Sequence, residues 1–281
     1  MTSPADASPT GAPPAEAHEH PFTLSFDIGG SGLKANVLDP QGALVADRVR
    51  TPTTYPMSPD ILVEKLTGLA KKLPQPDRIS AGFPGMVRRG VVLTAPHFVH
   101  LSGPGTDTAD PNLVKAWDHF DLETALSEAL DKPCRVANDA DVQGAAVVKG
   151  HGYEVVITLG TGFGTAFFMD GRLMPHMEFA HVNFQKLQTF NERLGEPKRK
   201  EIGNKKWNRR VRAMIAYFDT LTMFDHLYVG GGNAPRINRR QLGPILERIT
   251  VVDNTAGILG GIKLWDADHV ALRGHHHHDG R

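Results

Sequence analysis

Three glycine-rich turns hold residues whose types and spacing suit chemistry on an anion. The first is Asp27-Ile28-Gly29-Gly30-Ser31-Gly32-Leu33-Lys34. Consecutive glycines let backbone N–H groups converge on a phosphate, because no Cβ blocks close approach. Asp27, at a strand end, is placed to hold Mg²⁺ through water, since that ion takes one or two carboxylates and keeps several waters. The second turn, Leu159-Gly160-Thr161-Gly162-Phe163-Gly164-Thr165, offers the same cradle with two hydroxyls. The third, Gly230-Gly231-Gly232-Asn233-Ala234, follows a strand and can lie against a donor's base or sugar, through Gly231, Gly232 and Asn233. Each turn taken alone reads first as a structural hairpin or bulge. Their order along the chain is what points to a phosphate site. The Walker A lysine pattern is absent, which excludes a P-loop. Neither phosphate turn runs straight into a helix with an acid about 20 residues on, which argues against a dinucleotide fold.

The elements around these turns repeat. Phe22–Asp27 reads as a strand, with Ala35–Leu38 and Leu44–Arg50 completing a meander about Asp39-Pro40-Gln41-Gly42. Asp60–Leu73 has helical spacing, Ile79–Phe83 and Val91–Leu93 are strands, and residues 97–112 form a long loop. Asp121–Leu130 is an amphipathic helix capped by Asp121, Arg135–Ala137 a strand, and Asp141–Lys149 helical. The second half opens as the first does: strand Tyr153–Leu159, glycine turn, strand Thr165–Asp170 and a hairpin at Asp170-Gly171. Leu227–Val229 is a further strand, and Asn254–Trp265 reads as a closing apolar helix. Two related α/β lobes around a cleft follow, residues 21–137 and 138–266, with the closing helix able to pack back on the first lobe.

Composition narrows the class. Lysine plus arginine and aspartate plus glutamate number 31 each among 281 residues, so net charge calls for neither a nucleic-acid nor a membrane partner. No apolar run approaches the roughly 20 residues that span a bilayer. Residues 1–20, rich in Pro, Ala and acid, lack the features of a signal peptide and read as disordered. Residues 267–281 read as a disordered tail, and the four histidines within residues 274–281 as an appended remnant or a weak metal binder. The single cysteine, Cys134, excludes an internal disulfide and reads as a small hydrophobe on a buried strand. A cytoplasmic protein is expected.

With these motifs in order, the chain resembles the ROK group of sugar kinases and repressors, within the actin, hexokinase and heat-shock ATPase superfamily. The resemblance spans roughly Phe22–Trp265. Within the group the likeness is greatest to polyphosphate glucokinases and related glucokinases, through Gly82-Phe83-Pro84-Gly85, Asn138-Asp139-Ala140-Asp141, Ile157–Gly162, the third glycine cluster and Gly257–Ile262. It implies a fold of two ribonuclease-H-like lobes and a kinase that uses Mg²⁺ and a polyphosphate or ATP donor. It places phosphates on Gly29, Gly30, Ser31, Gly32 and Lys34, and on Gly160, Thr161, Gly162 and Gly164. Asp139 would be the catalytic base, and Asn138 would hold an adjacent sugar hydroxyl; unaided, the pair reads as an Asx turn. The family's Glu-x-Gly-His stretch is here Glu178-Phe179-Ala180-His181, with alanine in place of glycine, and implies glucose contacts from Glu178 and His181. Residues 182–200 contain no cysteine, so no structural zinc is expected. Glu192 and Glu196 fit no motif that would make either a second sugar glutamate. No helix-turn-helix precedes Phe22, which argues against the repressor branch, and a homodimer is implied by the family alone.

Nine cations lie between Arg193 and Arg212: Arg193, Lys198, Arg199, Lys200, Lys205, Lys206, Arg209, Arg210 and Arg212. Helical spacing buries Trp207, Val211, Ile215 and Phe218 and leaves most cations to solvent. They form either an ordinary solvated face or a track for a long phosphate polymer; Trp207 among arginines also permits single-stranded nucleic acid, but no stacking platform repeats. Two rivals share the fold: a sugar- or nucleotide-sensing protein without turnover, and an actin-like ATPase acting on a protein partner.

Overall fold

The computed structural model describes residues 21–103, 108–252 and 260–265. The expectations for the two termini, residues 1–20 and 267–281, lie outside this range. In the first half, β1 (Thr23–Ile28), β2 (Gly32–Leu38) and β3 (Val49–Pro52) form the meander, and α1 (Pro59–Ala70) leads into β4 (Arg78–Phe83). The short strands β5 (Val87–Arg88) and β6 (Val91–Val92) follow, then α2 (Pro111–Trp117), β7 (Phe120–Asp121), α3 (Leu122–Leu130), β8 (Cys134–Asn138) and α4 (Asp139–Ala145). In the second half, β9 (Tyr153–Leu159), β10 (Phe163–Met169) and β11 (Arg172–Leu173) form another meander. Hairpin β12–β13 (Asn183–Gln185, Gln188–Thr189), α5 (Phe190–Leu194), α6 (Glu196–Thr222), β14 (His226–Gly230) and β15 (Ile249–Val251) complete it.

The halves build the same sheet twice. The first runs β3-β2-β1-β4-β8 and the second β11-β10-β9-β14-β15. In each, the meander is antiparallel and the two remaining strands are parallel to its first strand. Each glycine turn therefore joins the first two strands of its sheet, at the end where the parallel strands deliver their loops.

Local chemistry explains the boundaries. Ser58 caps α1 and Pro59 sits at its first position, where a missing N–H costs nothing; Leu62, Leu66 and Leu69 face the core. Asp121 caps α3 through the Thr124 amide, as expected. Asp170 and Gly171 both take positive φ, the requirement of a tight hairpin between β10 and β11. Leu44, expected within a strand, makes only an isolated bridge to Leu38. The long loop expected over 97–112 ends in α2, a seven-residue helix too short to register as a periodicity. Asp110 caps it, and Trp117 enters the aromatic core beside Phe83 and Phe98.

Of the expected closing helix, residues 260–265 are described, and they form a 3₁₀ turn over Ile262–Trp265. This turn docks on the first sheet. The Ser80 hydroxyl donates to the Gly261 carbonyl (2.6 Å) and accepts from the Trp265 indole (2.9 Å), and the guanidinium groups of Arg78 and Arg135 lie over the Trp265 ring, 5.2 and 4.2 Å from its centroid. A Cβ on Gly260 would fall on the Val142 carbonyl of α4, so this pair of glycines is what lets the turn reach the sheet.

Candidate active site

β8 ends where α4 begins, and the two residues at that junction hold the site together. Asn138 is the N-cap: its Oδ1 accepts from the Ala140 amide (2.8 Å), while its Nδ2 donates to the Gly85 carbonyl (2.8 Å). The buried side chain thus ties the Gly82–Gly85 motif to α4 and leaves one N–H for a ligand. Asp139 follows, accepting from the Ala140 amide at 2.9 Å. A Cβ on Gly82 would rest 3.4 Å from its Cα.

Burial pushes the Asp139 carboxyl up to about 7, Asp27 adds negative potential, and Asp141 and Glu178 add less; the Ala140 N–H opposes the shift. The fold thereby gathers carboxylates from β1, α4 and the segment after β11 around one point. Asp27 accepts from the Lys34 ammonium at 2.8 Å, directly across the β1–β2 register. Lys34 therefore sits on the Asp27 carboxylate beside the first glycine turn. Among the described residues no group of three His, Cys, Asp or Glu side chains is arranged to hold a metal. Mg²⁺ needs no such cage when substrate phosphates complete its shell, so the partly exposed Asp27 fits it.

Glu178 is held in place. Its Oε1 accepts from the Ala180 amide (2.9 Å), and its Oε2 lies 3.6 Å from His176 Nε2. Burial would raise its carboxyl, but His176, the Ala180 amide and His181 outweigh this and hold it below the usual range. Ala180 is not among the residues with positive φ, so this backbone does not need the glycine that the motif usually carries. His181 is exposed and acts electrostatically on both Glu178 and His97.

The first turn is braced by its own lobe. The Thr53 hydroxyl donates to the Gly29 carbonyl (2.6 Å) and the Tyr55 hydroxyl to the Gly30 carbonyl (2.5 Å). The second turn is boxed in from three directions. Asn191 Oδ1 accepts from the Phe163 amide, Asn233 Nδ2 donates to the Gly160 carbonyl (3.0 Å), and the Glu196 amide donates to the same carbonyl (3.0 Å). Arg199, buried, donates from Nε to Asn233 Oδ1 at 2.9 Å. The third glycine cluster is thus joined to the second turn, and Asn233 spends both amide atoms inside the protein. Gly231 is buried at positive φ against the Leu159 backbone, and Gly232 is exposed. Asn191 and His176 escaped sequence reading, since neither stands in a motif and each has a partner distant in the chain, Phe163 and Asp141; Arg199 was read only as one of nine cations, and its bond to Asn233 was not foreseen. Glu192 is the reciprocal half of a capping box with Thr189, and Glu196 pairs with Lys200 (3.2 Å).

Most of the nine cations face solvent, as the helical spacing predicts; Arg193 and Arg199 are buried. Arg193 bonds Gln188 and Gln185 (3.0 and 3.2 Å). Lys205, Lys206, Arg209 and Arg212 stay exposed on α6. Asn208 links that helix to the Arg236 carbonyl and the Asn238 amide, bringing the exposed Arg236, Arg239 and Arg240 alongside. No helix among the described residues is long and apolar enough to cross a membrane.

The paired sheets, with glycine turns facing a shared carboxylate cluster, define a two-lobed α/β fold of the actin and hexokinase type. The solved structure of an inorganic polyphosphate/ATP-glucomannokinase from Arthrobacter sp. strain KM shares it, with a TM-score of 0.70 and 27% identity over 90% of this chain and 99% of that one. So does a ROK family glucokinase from Streptomyces griseus in complex with glucose and AMPPNP, with a TM-score of 0.65 and 19% identity over 86% and 98%. The chain belongs to the ROK family, whose model matches residues 23–185. It is 29% identical over 270 residues to a polyphosphate glucokinase of Mycobacterium tuberculosis (strain ATCC 25177 / H37Ra), covering 91% of this chain and 95% of that relative.

Proposed function

We propose that this chain is a hexose kinase that transfers a phosphoryl group from polyphosphate, ATP or both to glucose, giving glucose 6-phosphate. The observation that carries the reading is Asp139: a carboxyl with a pKa near 7, on the first turn of α4, beside both glycine turns and Glu178. A base with a pKa near the working pH combines ionisation with proton affinity. In the reaction, the Asp139 carboxylate takes the proton of the sugar hydroxyl as that oxygen attacks the terminal phosphorus in line. The bond to the donor's bridging oxygen breaks, and the donor leaves one phosphoryl shorter. Glu178, His181 and the spare N–H of Asn138 orient the sugar. Backbone amides of the turns Gly29–Gly32 and Gly160–Gly164 receive the phosphates, apart from those of Gly29, Gly160 and Phe163, which donate to Gly32, Gly162 and Asn191. Mg²⁺, held through water by Asp27, would neutralise charge on those phosphates.

The exposed cations of α6 with Arg236, Arg239 and Arg240 support a long polyanionic donor, whose affinity would fall steeply with salt. We further propose a cytoplasmic homodimer, which analytical ultracentrifugation tests for assembly. The function itself is tested by following glucose 6-phosphate with Mg²⁺ and each donor in turn. Reversing Lys205, Lys206 and Arg209 together is expected to raise the KM for polyphosphate and spare that for ATP. Failure of every hexose with both donors would end the kinase reading.

A further inference from the structure

Glu178, the sugar-facing glutamate of the proposed site, stands among like charge from Asp139 and Asp141. One buried imidazole meets two of these carboxylates. His176 Nδ1 lies 3.1 Å from Asp141 Oδ1, and Nε2 lies 3.6 Å from Glu178 Oε2. The side chains of Asp141, His176 and Glu178 are 4%, 9% and 18% exposed, so water screens little of this interaction. Asp141 stands on α4, two residues past Asp139, whereas His176 and Glu178 belong to the segment after β11. The row therefore crosses from the helix carrying the base to the strand connection carrying the sugar ligand.

Resting on the kinase reading, we propose that His176 is a positioning residue for the sugar. Held by Asp141, it carries the positive charge that keeps Glu178 ionised and aimed at the hexose hydroxyls. Two carboxylates flanking one imidazole favour the doubly protonated ring, in which both nitrogens donate. Burial opposes that charge, yet Asp141 and Glu178 together raise the ring to about 10. His176 Nε2 is buried and has no closer partner within hydrogen-bonding distance, so its donor is free to track Glu178 as sugar arrives. The Ala180 amide fixes the other oxygen of Glu178, leaving the carboxylate hinged between a backbone donor and a cation. The row can be reached from outside: Asp141 and His176 help line a cavity of about 420 Å³, with Arg88 and Arg89 also in its wall.

That cavity makes the proposal testable by replacement. His176→Asn retains a hydrogen bond to Asp141 but removes the charge, and is expected to raise the KM for glucose about tenfold to a hundredfold, the span of a charge-assisted hydrogen bond. The KM for the donor is expected to hold. His176→Ala, assayed with added imidazole entering the cavity, is expected to regain sugar affinity. An unchanged glucose KM in His176→Asn would overturn the proposal. So would a parallel rise of both KM values with a lowered melting temperature and no rescue by imidazole, because that pattern marks a packing role. Nitrogen NMR of the wild-type ring gives a readout independent of turnover. A doubly protonated His176 at pH 8, converted to a neutral ring by Glu178→Gln or Asp141→Asn, supports the relay, and a neutral wild-type ring overturns it. If the wild type phosphorylates no hexose, the kinase reading falls while the ring titration still decides the relay.

Discussion

The two glycine turns occupy equivalent places in sheets of identical strand order, yet they are supported differently. The first rests on hydroxyls of its own lobe, Thr53 and Tyr55, and has room: a Cβ on Gly32 would sit 3.7 Å from the Thr51 carbonyl, an ordinary contact. The second is enclosed by Asn191, Asn233 and the start of α6. A Cβ on Gly162 would approach Asn191 Oδ1 to 2.5 Å, and one on Gly164 would approach Thr158 Oγ1 to 2.6 Å and Ala140 to 3.1 Å. One ancestral-looking motif therefore serves as an open lip in the first lobe and as a packed keystone in the second. The keystone touches α4, so its packing helps set where Asp139 stands.

The sharpest test concerns the base at this seam. Asp139→Asn keeps the size and the Ala140 hydrogen bond but cannot accept the proton. It is expected to cost about 10²- to 10⁴-fold in kcat, the usual contribution of general-base catalysis, with the melting temperature little changed. Loss of fold would instead make Asp139 part of the keystone. Next comes pH: because burial and neighbouring carboxylates raise Asp139 to about 7, kcat/KM is expected to fall roughly tenfold per unit below that value. The same raised pKa means the folded state holds a proton that the unfolded chain releases, so this group's contribution weakens the fold as pH rises towards 7. A flat profile between pH 5 and 7 would reject the assignment.

Breaking the keystone directly should cost stability. Asn233→Ala leaves the Gly160 carbonyl and the buried Arg199 guanidinium without their shared partner, and about 1–3 kcal/mol is expected in chemical denaturation. Gly162→Ala is expected to fall in the same range by overpacking. An equal loss in Gly32→Ala would erase the contrast between the turns. His176→Asn adds a pH signature: the ring's raised pKa stabilises the fold while Asp141 and Glu178 are ionised, and this is lost as pH rises through about 10. The stability gap between wild type and variant should therefore be widest in the neutral range and shrink above it. The smallest effect is reserved for Gly160→Ala. Nothing lies within 4 Å of a Cβ there, so stability should move by less than about 0.5 kcal/mol while the KM for the donor rises.

The amino-acid sequence by itself determined what depends on neighbours in the chain. Alternating and apolar runs marked β1, β4, β9 and β10 because a strand's pattern is local; Asp121 and Asp170-Gly171 marked boundaries because caps and tight turns reach only a few residues. The glycine turns were legible for the same reason, since each is a short contiguous signal, whereas Asn138-Asp139 unaided reads as an Asx turn and took its role from the family resemblance. The tertiary structure decided everything built from separated residues. Asp141 meets His176 across 35 positions, Arg199 meets Asn233 across 34, and Ser80 meets Gly261 across 181. No periodicity records such pairs, because a lone buried histidine or arginine acquires its partner only when two sheets and α4 are brought together. Burial did the same for Asp139: its place in the chain was readable, but the pKa near 7 that suits it to proton transfer comes from desolvation and from carboxylates delivered by other elements.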